Sequence, residues 1–157
     1  MTAPADFTTL PTVSSVSSRH HCASPDDTFA LGARLGESLG PGSVVLLIGP
    51  LGAGKTVLAK GIARGLGIQE EISSPTYTIV SEYRREGAWL HHVDLYRIEG
   101  RDQMENLGLE DMLRGESVVV VEWGEKLEPW LMFPYTRITL AMTPEGGRDI
   151  LVEERRP

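Results

Sequence analysis

The apolar positions of this chain follow both helical and strand periods. Val44–Ile48 is a continuous apolar run of strand length, rich in β-branched residues, as expected of a strand covered on both faces. Past a glycine-rich gap, Leu58, Ile62 and Leu66 recur at helical spacing while Lys60 and Arg64 point elsewhere, and Gly65 and Gly67 end the helix. Upstream, Ser24-Pro25-Asp26-Asp27 has the chemistry of a helix start, with a Ser cap, Pro at the first position and acids in the first turn. Leu31, Leu35 and Leu39 then form one stripe until Gly40-Pro41-Gly42 breaks the helix.

The second half predicts two hairpins around a central strand. Residues 76–83, "TYTIVSEY", are β-rich, "RREG" supplies a turn and "AWLHHVDLY" alternates again. Residues 102–114 predict one helix carrying Leu107, Leu109, Met112 and Leu113. The run from Ser117 to Val121 is apolar after its first residue and predicts a buried central strand ending at Glu122. "TRITLAMT", "EGGR" and "DILVEE" close the chain as a second hairpin. Together these elements predict a three-layer α/β domain with a mixed sheet, parallel at its centre and antiparallel at its edges. Ligands of such sheets sit beyond the carboxyl ends of the parallel strands.

Composition adds bounds rather than chemistry. The 157 residues make one domain, expected over 19–157, and the Ser-, Thr- and Pro-rich residues 1–18 predict a flexible leader. A net charge of −7 argues against gripping nucleic acid unaided. The one cysteine, Cys22, cannot form an internal disulfide, which fits a reducing cytosol. No run is long and apolar enough for a membrane span and no signal peptide is evident, so a cytoplasmic location is expected.

The glycine-rich gap carries the chemistry. Gly49-Pro50-Leu51-Gly52-Ala53-Gly54-Lys55-Thr56 fits G-x-x-x-x-G-K-[ST], the phosphate-binding P-loop, between a strand and a helix as the motif requires. Gly49, Leu51, Gly52, Ala53 and Gly54 bring backbone N–H groups around phosphates. Lys55 is the candidate catalytic cation for the β- and γ-phosphates, and the Thr56 hydroxyl a candidate Mg²⁺ ligand. Val57 follows on the same helix. Asp94 and Glu122 end strands where an acid either binds Mg²⁺ or, for a Glu, orients the attacking water; either one otherwise only marks where a strand meets solvent. Thr76, in "SSPTYT", lies where a switch loop belongs, although Pro75 alone would also explain an ordered loop. His91 and His92 read as ordinary strand residues, one facing each way. Trp123, with Trp130 and Phe133, reads mainly as packing. Of the arginines, only Arg97 is close in sequence to a candidate acid.

The series "GPLGAGKT", "SSPTYTIVSEY", "HHVDLYR", "ENLGLEDML" and "VVVVEWGEKL" resembles the TsaE family, small bacterial P-loop ATPases of tRNA threonylcarbamoyladenosine synthesis. The likeness runs from about Ser24 to the final hairpin. It implies a P-loop NTPase fold with ATP and Mg²⁺ as cofactors, Lys55 and Thr56 on phosphate and metal, and Asp94 and Glu122 as functional acids. It also implies two partners, TsaB-type and TsaD-type subunits, one of which transfers the threonylcarbamoyl group to adenosine 37 of tRNAs reading ANN codons. The protein would meet tRNA only indirectly, and its hydrolysis would be weak until the partners bind. The family pattern reads G-K-T-T, so Val57 stands where a second hydroxyl is usual. A small-molecule kinase is the nearest rival, but "RREG" is only a hairpin turn and no arginine-bearing lid is evident. A GTPase would carry D-x-x-G and N-K-x-D, where this chain has "DLYR" and "EWGE". A degenerate binding module is hard to square with an intact Lys55, Thr56 and two acids.

Overall fold

The computed structural model describes residues 16–157. Most of the expected leader, residues 1–15, lies outside the described residues, but its last residues do not. Ser17 and Ser18 open strand β1 (Ser17–Cys22), paired antiparallel with β7 (Arg148–Arg155) through Ser17↔Glu153 and Ser18↔Val152. Nothing local in "SSRHHC" announces this strand; its partner lies at the far end of the chain.

Between them run α1 (Pro25–Ser38), β2 (Val44–Ile48), α2 (Lys55–Gly65), β3 (Val80–Arg85), β4 (Ala88–Asp94), α3 (Gly100–Glu105), α4 (Leu109–Arg114), β5 (Val118–Glu122) and β6 (Tyr135–Met142). Two short 3₁₀ turns, Gly124–Lys126 and Glu128–Trp130, lead from β5 to β6. The sheet order is β1-β7-β6-β2-β5-β4-β3. β2 pairs parallel with both β5 and β6, and β4 pairs parallel with β5. The β3–β4 and β6–β7 hairpins flank this centre as antiparallel edges, so the predicted mixed sheet is the one observed.

One face of the sheet packs Leu47, Leu90, Val118 and Val120 against Leu31, Leu58 and Ile62 of α1 and α2. The opposite face packs Val44, Leu46, Val119 and Val121 against Met104, Leu109, Leu127 and Leu131. The two helices of the first layer approach closely through glycines spaced by four. A methyl group on Gly32 would lie 2.5 Å from the Leu58 carbonyl oxygen, and one on Gly61 would run into that of Phe29.

Two local expectations differ from the structure. Residues 76–79 form a turn, and β3 begins only at Val80, because Ile79 takes the left-handed conformation (φ 67°) and ends any extended run. The helix expected over 102–114 is two helices, broken where Gly108 adopts φ 70° as the cap of α4. Ser24 caps α1 as predicted, its hydroxyl accepting from the Asp27 N–H at 3.2 Å. No helix among the described residues is long and apolar enough to cross a membrane.

Candidate functional site

Because β2, β4 and β5 run parallel, their carboxyl ends emerge side by side. The pairs Leu47↔Glu122 and Asp94↔Glu122 place both candidate acids on neighbouring strand ends, next to the loop that leaves β2. There Leu51 to Val57, from the loop and the first turn of α2, together with Ser74, Thr76, Asp94, Tyr96, Glu122 and Trp123, line a cavity of about 360 Å³. That size suits a small-molecule ligand. A wider cleft of about 510 Å³ lies at the other end of the sheet, beside Pro41, Trp89 and Glu116, away from these groups.

All but one of the sequence-predicted residues line the smaller cavity. Gly49 lies behind it: a methyl there would sit 2.7 Å from the Leu140 carbonyl oxygen, and its own carbonyl accepts from the Lys55 ammonium. Gly54, at φ 97°, caps α2 in a conformation that favours glycine and turns the chain into the helix whose amino end faces the cavity.

Lys55 is only 5% exposed. Its ammonium also donates to the Pro50 carbonyl at 3.3 Å and sits 3.7 Å from the centre of the Trp123 ring. Burial holds it below the usual lysine range, against the opposing pull of Glu125, Glu122 and Asp94. Trp123 reaches this position from a left-handed backbone (φ 59°), with the Tyr96 ring 5.1 Å away. Strained conformations of this kind persist where surrounding structure over-determines them, and they cluster at functional sites. Trp123 thus lines the cavity, beside the P-loop where the family resemblance puts it, rather than serving in packing alone.

Each acid is held at both oxygens. Glu122, 3% exposed, accepts from the Thr56 hydroxyl at 2.8 Å on Oε1 and bonds His92 Nε2 at 2.6 Å on Oε2. Asp94, 4% exposed, accepts from the Thr76 hydroxyl at 3.1 Å on Oδ2 and from the Tyr96 N–H at 2.9 Å on Oδ1. Thr76 also bonds Ser74 at 2.7 Å, and Arg97 lies 4.5 Å from the centre of the Tyr77 ring. The segment 73–78 is thus tied to the end of β4 by a hydroxyl–carboxylate bond and a stacked guanidinium.

Three supporting residues escaped sequence reasoning. His92 is one; strand alternation already put it on the face of Glu122, but only the β4–β5 pairing makes them neighbours. Arg148 donates to the Gly52 and Ala53 carbonyls, both at 3.0 Å, and to those of Gly146 and Gly147 at 2.9 Å, which fastens the last hairpin to the P-loop. Lys126 gathers the carbonyls of Leu95, Tyr96 and Ile98 at 2.9–3.0 Å and fixes the loop after Asp94. Neither cation has a sequence signature, because their hydrogen-bond partners among the described residues are backbone carbonyls.

Thr56 and Glu122 offer oxygen donors of the kind that Mg²⁺ would take. Oxygens bound at 2.0–2.1 Å in an octahedron are about 2.9 Å apart along an edge, close to the 2.8 Å between Thr56 Oγ1 and Glu122 Oε1.

A glycine-rich loop between β2 and α2, opening on the carboxyl edge of a parallel-centred sheet, defines a P-loop NTPase fold. Comparison with known proteins narrows this to one family. The chain belongs to the TsaE family, since the model for "Threonylcarbamoyl adenosine biosynthesis protein TsaE" matches residues 22–150. It is 41% identical over 129 residues to the tRNA threonylcarbamoyladenosine biosynthesis protein TsaE of Treponema pallidum, covering 82% of this chain and 95% of that one. To its counterpart in Bacillus subtilis it is 39% identical over 126 residues, covering 80% and 78%. The crystal structure of Bacillus subtilis YdiB aligns with a TM-score of 0.76 at 30% identity, covering 89% of this chain and 86% of that one.

Proposed function

We propose that this protein is a Mg²⁺-dependent ATPase of tRNA threonylcarbamoyladenosine biosynthesis. It acts on a complex of TsaB-type and TsaD-type subunits in the cytoplasm, and does not itself transfer the threonylcarbamoyl group to adenosine 37 of tRNAs reading ANN codons. The observation that carries the ATPase reading is the Thr56–Glu122 bond, which unites the first residues of α2 with the end of β5 at the mouth of the P-loop.

Thr56, Glu122 and Asp94 are the residues that would hold Mg²⁺, which supplies charge neutralisation on the phosphate oxygens. The loop N–H groups of residues 51–54 and the amino end of α2 receive the phosphates. Lys55, now bonded to loop carbonyls, carries the cation that can exchange those carbonyls for phosphate oxygens. Glu122, fixed at Oε2 by His92, directs Oε1 toward Thr56 and the cavity, where it holds the metal or orients the attacking water. Asp94 couples this centre to segment 73–78 through Thr76, so the occupancy of the site is felt in an exposed loop. That loop carries Tyr77, 83% exposed, and offers a partner a surface that changes with the nucleotide.

Lining by phosphate-handling segments throughout supports hydrolysis over transfer to a small acceptor. The test is phosphate release from ATP and from GTP, with the protein alone and with both partner subunits. Preference for ATP and stimulation by the partners are expected; preference for GTP, or partners that neither bind nor stimulate, would overturn the reading.

A further inference from the structure

We propose that His92 is a positioning residue for Glu122, and that the His92–Glu122 pair sets the Mg²⁺ affinity of the site. The inference rests on the reading of Glu122 given above.

Along β4, alternation puts Leu90, His92 and Asp94 on the face that packs on α2, and along β5 it puts Val118, Val120 and Glu122 there too. His92 therefore lies between a core leucine and a candidate acid, and it is 0% exposed. Its Nε2 meets Glu122 Oε2 at 2.6 Å. A carboxylate accepts, so a ring proton resides on Nε2. Nδ1 is buried without a hydrogen-bond partner among the described residues.

A buried polar atom left unpaired destabilises a fold, so packing alone would favour an aliphatic side chain among Leu90, Val118 and Val120. The imidazole tolerates its orphaned nitrogen while its other nitrogen holds one carboxylate oxygen. With Oε2 fixed, Oε1 is left to Thr56, and the carboxyl plane has a single orientation toward the cavity. His91 makes the contrast: it faces the other way and bonds Ser117 at 2.8 Å, remote from the nucleotide cavity. Outer partners of metal-binding carboxylates typically contribute roughly 10–100-fold to metal affinity or activity.

The test compares wild type with His92→Leu, His92→Gln, His92→Asn and Glu122→Gln. Calorimetry measures the affinity for a non-hydrolysable ATP analogue with Mg²⁺ and with EDTA, and the ratio is the gain due to metal. Thermal melting is recorded in parallel. His92→Leu is expected to lower the gain by about tenfold or more, leave the EDTA affinity unchanged and melt no lower than wild type. His92→Gln, whose amide reaches the Nε2 position, restores the gain, and the shorter His92→Asn does not. A full gain in His92→Leu, or equal gains in the Gln and Asn variants, would overturn the proposal, and the Gln–Asn comparison decides even if the Leu variant fails to fold. Glu122→Gln separates the two readings. If it keeps the full gain, the assignment of Glu122 is wrong; if it loses the gain while His92→Leu keeps it, only the role of His92 is wrong.

Discussion

Replacing Val57 by Thr asks how much one hydroxyl at the head of α2 contributes. Val57 is the third residue of the helix, half-buried, and it lines both the P-loop cavity and a smaller pocket of about 150 Å³ beside Ser24 and Thr28. A Thr there has nearly the same shape and the same helix propensity, so the fold is expected to lose no more than ~0.5 kcal/mol. What changes is one O–H directed at a position that a bound phosphate can reach. A neutral hydrogen bond contributes about 0.5–1.5 kcal/mol net, which converts to roughly two- to tenfold tighter ATP binding. Titration of both proteins with ATP and Mg²⁺ measures this directly, and the hydrolysis rate at saturation should not move. Unchanged or weaker binding would refute the reasoning and show that the hydroxyl turns to the helix backbone or to Ser24 instead.

Other perturbations probe the support of the site. Gly61→Ala gains about 1 kcal/mol of helix propensity, but its methyl meets the Phe29 carbonyl, and overpacking of this kind costs about 1–3 kcal/mol; urea unfolding should show a net loss, and a more stable variant would contradict the close approach of α1 and α2. Arg148→Met removes two charge-assisted bonds to P-loop carbonyls, each typically about 1.5–3 kcal/mol, so ATP affinity should fall by about tenfold or more with turnover at saturation preserved; equal affinity would show that the loop holds its shape unaided. Lys55 binds its proton less tightly folded than unfolded, so the unfolded state carries more protons between its folded and ordinary values and stability rises with pH across that window. As pH rises, ATP affinity should correspondingly start to decline before the ordinary lysine value of about 10.4 is reached, and Lys55→Met should abolish both effects; affinity constant up to that pH would contradict the burial of Lys55.

Local chemistry made much of this molecule legible. Ser24 and Pro25 start α1 where capping rules place it, and the P-loop announces β2 and α2 because its glycines have one geometric use. What stayed hidden depends on contacts between distant segments. β1 is a polar edge strand that exists by pairing with β7, so its first residues, Ser17 and Ser18, read locally as the end of a leader. Ile79 is a β-former placed in a left-handed turn, and no propensity anticipates that. Asp94 and Glu122 could be chosen as strand-end acids, yet the partners that fix them, His92 across β4–β5 and Thr76 across the site, follow from the sheet order. The residue type of Trp123 points only to packing and the motif only to a place near the site, because its position over Lys55 comes from a left-handed backbone.

The most direct test of the account is turnover by Glu122→Gln in the presence of both partner subunits, with ATP binding measured on the same preparation. The account predicts that the variant binds the partners, and ATP without the metal-dependent gain, but releases no phosphate above background. Phosphate release at the wild-type rate would contradict it.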